Sequence, residues 1–461
     1  MTYEPAFSSP RCSRAVAAVC ADHALDNAAR AAIIRPMSVP SISALSPRRY
    51  YRLPWSLTDN GISWLEVTPR CNLACEGCYR SKTGEHKTLE EIASDLEVFK
   101  RERISDCMSV AGGDPLVHPQ IVDIVRMIKE GGWKPVLNTN GLALTPELLR
   151  RLKAVGVFGF TFHIDTSQVR SDFTGKTEGD LNALRQKFAQ MLAAEGGVSC
   201  SFNQTVTSAT LDQVPDVVRW AVQHPDIVHT VVFILYREPR LAGHFDFYVG
   251  STQIPLEATY EKTGDWGGQR MVMAPEVVAK IREVDPGFEP SAYLNGTVDP
   301  DSMKWLMGTR VATATETWGY VTPRFMETVQ HVSHFFRNRW LSYSAPTLLR
   351  AGRSTLFSFA LIDRVMRKIA WRYVVRGLKN PLRFFRRAYL QTFTVIQPVD
   401  FMPDGRMNMC DGCPDMTVHQ GQMYWSCRLE EIKEYGCFVT AVPRVQEHEA
   451  RAHSPERVMS T

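Results

Sequence analysis

Between residues 62 and 235, short runs of apolar and β-branched residues alternate with longer amphipathic stretches. Runs at 62–68, 106–111, 134–139, 158–165, 198–206 and 228–235 have the length and side-chain type of strands. Stretches at 88–102, 119–130, 145–154, 180–194 and 211–223 carry the helical period. Strands that alternate with helices predict an α/β fold with a parallel sheet and right-handed crossovers. Residues 1–48, rich in Ala, Ser, Pro and Arg, show no sustained period and are expected to be a disordered tail, as are residues 441–461.

A length of 461 residues exceeds the usual single domain, and 44% hydrophobic residues supply ample core. The net charge of +4 is unremarkable as a total. Residues 1–30 carry acidic groups and no continuous apolar region, so no secretory signal is expected. No apolar run reaches the ~18 residues of a spanning helix. Eleven cysteines in such a chain point to metal ligation in a reducing, cytoplasmic compartment.

The first strand run leads into Thr68-Pro-Arg-Cys-Asn-Leu-Ala-Cys-Glu-Gly-Cys-Tyr79. Cys71, Cys75 and Cys78 have the spacing C-x3-C-x2-C, which can wrap three thiolates around one face of a cubane cluster. Four thiolates would saturate a [4Fe–4S] cluster, so three leave one iron open to a cosubstrate. Tetrahedral zinc would need a fourth ligand, and His86 is the only nearby histidine. This loop resembles the signature of the radical S-adenosylmethionine (SAM) enzymes. It departs in carrying Gly77 before the last cysteine, where many members have an aromatic, with Tyr79 following instead. The resemblance implies a partial (β/α)6 barrel, a catalytic [4Fe–4S] cluster, SAM as cosubstrate and an electron donor such as ferredoxin or flavodoxin. In barrels of this kind, active residues sit at the C-terminal ends of the strands.

Further motifs extend the resemblance. Ala111-Gly-Gly-Asp-Pro115 is similar to the family's Gly-Gly-Glu-Pro, which implies cofactor binding by Gly112, Gly113, Asp114 and Pro115. Leu137-Asn-Thr-Asn-Gly141 is like the family's Thr-Asn-Gly ending. Asn138 and Asn140 either face the cofactor or form an Asx turn with Gly141. In Phe162-His-Ile-Asp-Thr-Ser-Gln168, His163 and Asp165 share a face by alternation. Asp165 resembles a family position near the SAM ribose or substrate. His163 is a candidate proton-transfer group or a satisfied interior histidine, and Gln204 a further cofactor-contact candidate. Cys107 and Cys200 fall inside strand runs and read as core.

Near the C-terminus, Cys410, Cys413, Cys427 and Cys437 follow C-x2-C-x13-C-x9-C, flanked by hairpin signals at Pro403-Asp-Gly405 and His419-Gln-Gly421. The group resembles the auxiliary-cluster extensions called SPASM and twitch domains, without the seven-cysteine SPASM pattern, and implies at most one second [4Fe–4S] cluster. The same spacing permits structural zinc. Residues 331–390 hold thirteen Lys or Arg and one acid, Asp363, with eleven aromatics. Drawn as a helix, Leu361–Arg376 puts Arg364, Arg367, Lys368, Arg372 and Arg376 opposite Ile362, Met366, Ile369 and Tyr373, with Trp371 among the basic residues. Such a helix lies on an anionic bilayer or packs on the barrel with a solvated basic face; nucleic acid is the least supported partner.

The expected organisation is a tail at 1–48, a radical SAM barrel at 55–240, a substrate-selecting insertion or barrel cover at 241–330, the basic helical segment at 331–390, a small cysteine-rich β-hairpin auxiliary iron–sulfur subdomain at 391–440, and a tail at 441–461. The expected activity is reductive SAM cleavage to a 5′-deoxyadenosyl radical, then hydrogen abstraction from a substrate. A lipid or other hydrophobic molecule suits the basic segment; a ribosomally made peptide suits the auxiliary-cluster resemblance. A non-catalytic iron–sulfur or zinc binding module is the reading of another class. The location is cytoplasmic, with peripheral contact at the inner membrane surface if the bilayer reading holds.

Overall fold

A computed structural model describes residues 45–237, 245–255 and 270–444. Both tails lie almost entirely outside these residues, with Cys12 and Cys20. Six parallel strands form in chain order: β1 (Asp59–Thr68), β2 (Ile104–Gly112), β3 (Lys134–Thr139), β4 (Gly159–His163), β5 (Ser199–Val206) and β6 (Thr230–Leu235). Between them run α1 (Leu89–Glu102), α2 (Ile121–Glu130), α3 (Pro146–Ala154), α4 (Asn182–Glu195) and α5 (Val214–Gln223). Local chemistry sets their limits. Thr88 and Glu91 close a capping box at the start of α1. Pro146 opens α3 behind the capping hydroxyl of Thr145.

The outward faces of the strands and the inward faces of these helices share one core. Phe162, fully buried, stacks against Phe160, Phe188 and Phe202. Truncating such a ring costs about 3–5 kcal/mol. Cys107 and Cys200 are buried in strands, as expected.

The sheet does not stop at β6. Strand Tyr389–Ile396 pairs parallel to β6, and Trp305–Thr313 pairs antiparallel to it. Glu316–Tyr320, Ala292–Leu294 and Tyr51–Arg52 complete eleven strands. Three stretches expected to lie in an insertion or cover, 292–294, 305–313 and 316–320, are therefore sheet. The stretch expected to open the cysteine-rich subdomain, 391–396, is sheet as well.

The barrel is partial, and β1 ends the sheet with one edge unpaired by any strand. The cysteine-rich subdomain fills that gap. Asn60 Nδ2 donates to the Gly412 carbonyl at 2.9 Å. Buried Arg103 bridges the Ile62 and Cys413 carbonyls at 2.8 and 2.7 Å. Both expected hairpins form: Asp400–Phe401 pairs with Met407–Asn408, and Met416–His419 with Gln422–Trp425. Gln420 and Gly421 both take positive φ, the conformation a two-residue type I′ turn requires.

The basic segment divides in two. Helix Pro323–Arg337 and the loop after it close the N-terminal end of the barrel, gathered on buried Asp106. Asp106 accepts from Lys134 Nζ at 2.6 Å, Arg337 Nη2 at 2.5 Å and Ser342 Oγ at 3.0 Å. The second part holds the expected amphipathic helix as Arg364–Lys379, with Asp363 as N-cap. Met366, Ile369 and Tyr373 are buried on the outer strands, while Ile362 precedes the helix and is exposed, so it leaves the face assigned to it. Among the described residues, no helix is long and apolar enough to cross a membrane.

Candidate active site

A cavity of about 550 Å³ runs through the barrel interior. Its lower wall holds Ser199, Thr230 and Tyr343, and its upper end is the cysteine loop after β1. Strand alternation turns Asn138, Thr161, His163, Asn203 and Thr205 inward. Much of the remaining wall is apolar, including Trp55, Trp305, Phe325, Met326, Phe401 and Met409.

Cys71, Cys75 and Cys78 line this cavity, and so do Cys410, Cys413 and Cys427. Burial pushes the Cys75 thiol up to about 12, with Asp165, Cys78 and Cys71 adding to the shift. Burial also raises Cys71 and brings Cys427 to about 12. Cys413 rises well above an ordinary thiol through its hydrogen bond with Cys410 and through burial. Sulfurs crowded in a low-dielectric cavity resist becoming anions together, and a bound cation reverses that preference. The donor sets suit thiophilic clusters in chemistry, and each set lines the same cavity. Among the described residues, no three His, Cys, Asp or Glu side chains already converge on a metal position. Cys437 lies outside the cavity lining, so the expected four-cysteine set is brought together only as far as Cys410, Cys413 and Cys427. His86 also lies outside it, edge-on to the His118 ring at 5.0 Å.

The first loop is held from below. Gly113 N donates to Thr68 O at 2.7 Å and Asp114 N to Arg70 O at 2.9 Å. A Cβ on Gly112 would stand 2.1 Å from Thr68 O, and one on Gly113 2.1 Å from Arg70 O. Here the glycines let two backbones touch, the strand end and the cysteine loop, while still lining the cavity. Asp114 is buried, accepting from Leu116 N, Thr139 Oγ1 and Asn140 N at 2.8–2.9 Å. Burial nonetheless raises its pKa. It buckles β2 to β3. Pro115 opens the short turn beyond and lies outside the lining.

Asn140 does two things. Its Oδ1 accepts from Leu142 N at 2.8 Å, the Asx turn, while its Nδ2 reaches Asn72 Oδ1 at 2.7 Å and Cys71 Sγ at 3.8 Å. Asn138 faces the cavity.

His163 lines the cavity with its Nε2 2.7 Å from Asp165 Oδ2 and 3.0 Å from Thr205 Oγ1. Burial opposes charge on both partners, yet each favours the other's ion: His163 is shifted up and Asp165 down. Asp165 also accepts from Ser167 and from Thr205 N. It is buried behind His163, outside the lining, so it positions the imidazole instead of facing the cavity. Gln204 requires a correction. It is buried on the opposite face of β5 from Asn203 and Thr205 and does not line the cavity. The two-residue strand period brings its neighbours inward in its place.

Sequence reasoning missed Arg80. Buried directly after the cysteine loop, it pairs with Glu66 on β1 and, at 3.1 Å, with Glu430 Oε1 beyond Cys427. It joins the two cysteine groups, and only a long-range contact discloses it.

Residues 65–221 match the radical SAM superfamily. This is a radical SAM domain. Such a domain uses a [4Fe–4S] cluster and SAM, and the mostly parallel α/β sheet is its partial barrel. The chain is similar to a tungsten-containing aldehyde ferredoxin oxidoreductase cofactor-modifying protein of Pyrococcus furiosus, at 34% identity over 110 residues, 22% of this chain and 30% of that protein. It is similar to an AdoMet-dependent heme synthase of Methanosarcina barkeri at 26% identity over 182 residues, 38% of this chain and 50% of that one. The chain thus spans half or less of the length of these two relatives. Among solved structures, Streptococcus suis SuiB bound to the precursor peptide SuiA is similar over 40% of each chain, at 16% identity and a TM-score of 0.32.

Proposed function

We propose that this protein is a radical SAM enzyme acting on a hydrophobic substrate, a lipid or another largely apolar molecule. The observation that carries the proposal is one cavity, largely apolar in its walls, into which both cysteine groups open. Cys71, Cys75 and Cys78 would hold the [4Fe–4S] cluster, and Cys410, Cys413 and Cys427 an auxiliary cluster, with zinc as the competing metal. When bound, the cluster and SAM supply reductive sulfonium cleavage and a carbon radical able to abstract hydrogen. The chain's residues do the rest. Gly112, Gly113 and Asn140 fix the cysteine loop over the barrel mouth, and Asn138 offers an amide to the cosubstrate. His163, kept proton-rich by Asp165, holds a proton at the cavity wall. The apolar wall excludes water from reactive carbon centres. A cytoplasmic ferredoxin or flavodoxin is the proposed electron donor.

The test is 5′-deoxyadenosine release from SAM by anaerobically reconstituted, reduced protein, with long-chain lipids, peptides or no addition. Release stimulated by lipid supports the proposal. Stimulation by peptide alone would move the substrate class, and no release from wild type under any condition would overturn the enzyme reading.

A further inference from the structure

Helix Arg364–Lys379 buries one face and leaves the other bare. Its outward face carries Arg364, Lys368, Trp371, Leu378 and Lys379, all exposed. Large apolar side chains stand out at both ends as well: Leu361 and Ile362 before the helix, Leu382 and Phe385 after it. Trp371, Leu378, Leu382, Leu361 and Phe385 are 70–86% exposed; among the other described large apolar side chains only Phe335 and Phe336, a pair on helix Pro323–Arg337, stand out as far. Scattered exposed apolar residues are ordinary, but this concentration along one helix and its flanks is not.

The charges divide in the same way. Inward-leaning Arg376 and Arg383 pair with Glu316, and Arg372 donates to the Trp318 carbonyl. Arg364, Lys368, Lys379 and Arg387 are exposed and have no ion-pair partner among the described residues. The one acid of the stretch, Asp363, is buried as an N-cap, accepting from Val365 N and Met366 N, and offsets nothing outside.

We propose that this face docks the protein on an anionic bilayer, with Trp371, Leu378, Leu382 and Phe385 entering the headgroup–acyl boundary and the cations meeting lipid phosphates. Charge complementarity selects an anionic partner. The apolar groups select lipid over an acidic protein: they protrude beside the cations along a helix of about 24 Å and its flanks, the amphipathic pattern that enters a fluid interface. The inference is independent of the proposed activity, because it is read without SAM.

The experiment is flotation of the full-length, reconstituted protein with vesicles of phosphatidylcholine alone or of phosphatidylcholine mixed with anionic phosphatidylglycerol. Wild type is expected to float with the anionic vesicles and weaken in high salt. Arg364→Gln/Lys368→Gln/Lys379→Gln should lose about a hundred-fold in partitioning, and Trp371→Ser/Leu378→Ser/Phe385→Ser should not float. Both variants alter exposed side chains, and unchanged melting temperatures would confirm intact folds. Brominated lipid should quench an emission component that Trp371→Phe removes. Failure of wild type to float, equal flotation by the variants, or binding of an acidic electron carrier or RNA through these residues without vesicle binding would overturn the proposal.

Discussion

Cys75 and Cys413 open into the same cavity, and the surroundings of each hold its thiol up, yet their loops are built differently. The first loop crosses the barrel mouth, half-buried, and is gripped at its base by the backbone of Gly112–Asp114 and by Asn140. The second fills the lateral gap along β1, with Cys410 and Cys413 buried and Arg103 and Asn60 bonded to its carbonyls. The loop at the mouth keeps its three cysteines part-exposed at the cavity's upper end. A loop in the wall completes the barrel, so its cysteines are part of what keeps the interior closed.

Breaking one group at a time gives the largest expected contrast. Cys75→Ala should reduce 5′-deoxyadenosine release to background. Cys410→Ala/Cys413→Ala should lower bound iron by about half, from two clusters towards one, while release persists. Iron and sulfide analysis beside the release assay separates the two; lost zinc with unchanged iron would reassign the second site. Next is the tie between the groups. Arg80→Met leaves Glu66 buried without its cation and Glu430 with Lys433 alone, and denaturant unfolding should show a loss of about 3–5 kcal/mol. Gly113→Ala forces a methyl group towards Arg70 O and should cost about 1–3 kcal/mol, with weakened iron retention at the first loop and none lost at the second.

The His163–Asp165 pair gives a subtler effect with a defined sign. His163 is raised above its ordinary 6.5, so its contribution is full below that pH and is lost as pH climbs through the folded value. Asp165 is lowered from 3.8, so its contribution is present above that value and lost as pH falls through the folded one. The melting-temperature gap between wild type and Asp165→Asn should therefore be widest between pH 3.8 and 6.5 and narrow on the alkaline side. The smallest effect is reserved for Gln204→Met. That side chain faces away from the cavity, and SAM cleavage should stay within about two-fold, a change of under 0.5 kcal/mol.

These contrasts track what the sequence discloses. The β1–β6 strands and the first cysteine loop were legible because their signals are local: strand runs, helical periods, three cysteines within eight residues. Gln204 misled because a strand shows two faces and nothing local says which one turns inward. Trp305–Thr313 was illegible for another reason. It is buried on nearly every residue, so it lacks alternation, and its partner Tyr389–Ile396 is remote in sequence. Arg80 pairs with Glu430, 350 positions away, beyond the reach of any spacing rule.

The late arrival of strand Tyr389–Ile396 sets a timetable. Strand β6, Thr230-Val-Val-Phe-Ile-Leu235, has its second partner encoded about 160 residues downstream. At ribosomal speed, that edge waits roughly 8–30 s for its neighbour. Throughout that interval a nascent chain presents an apolar, unpaired strand, a template for misassociation. Synthesis of this protein should therefore be more sensitive to chaperone supply than its finished sheet, with both edges of β6 paired, would indicate.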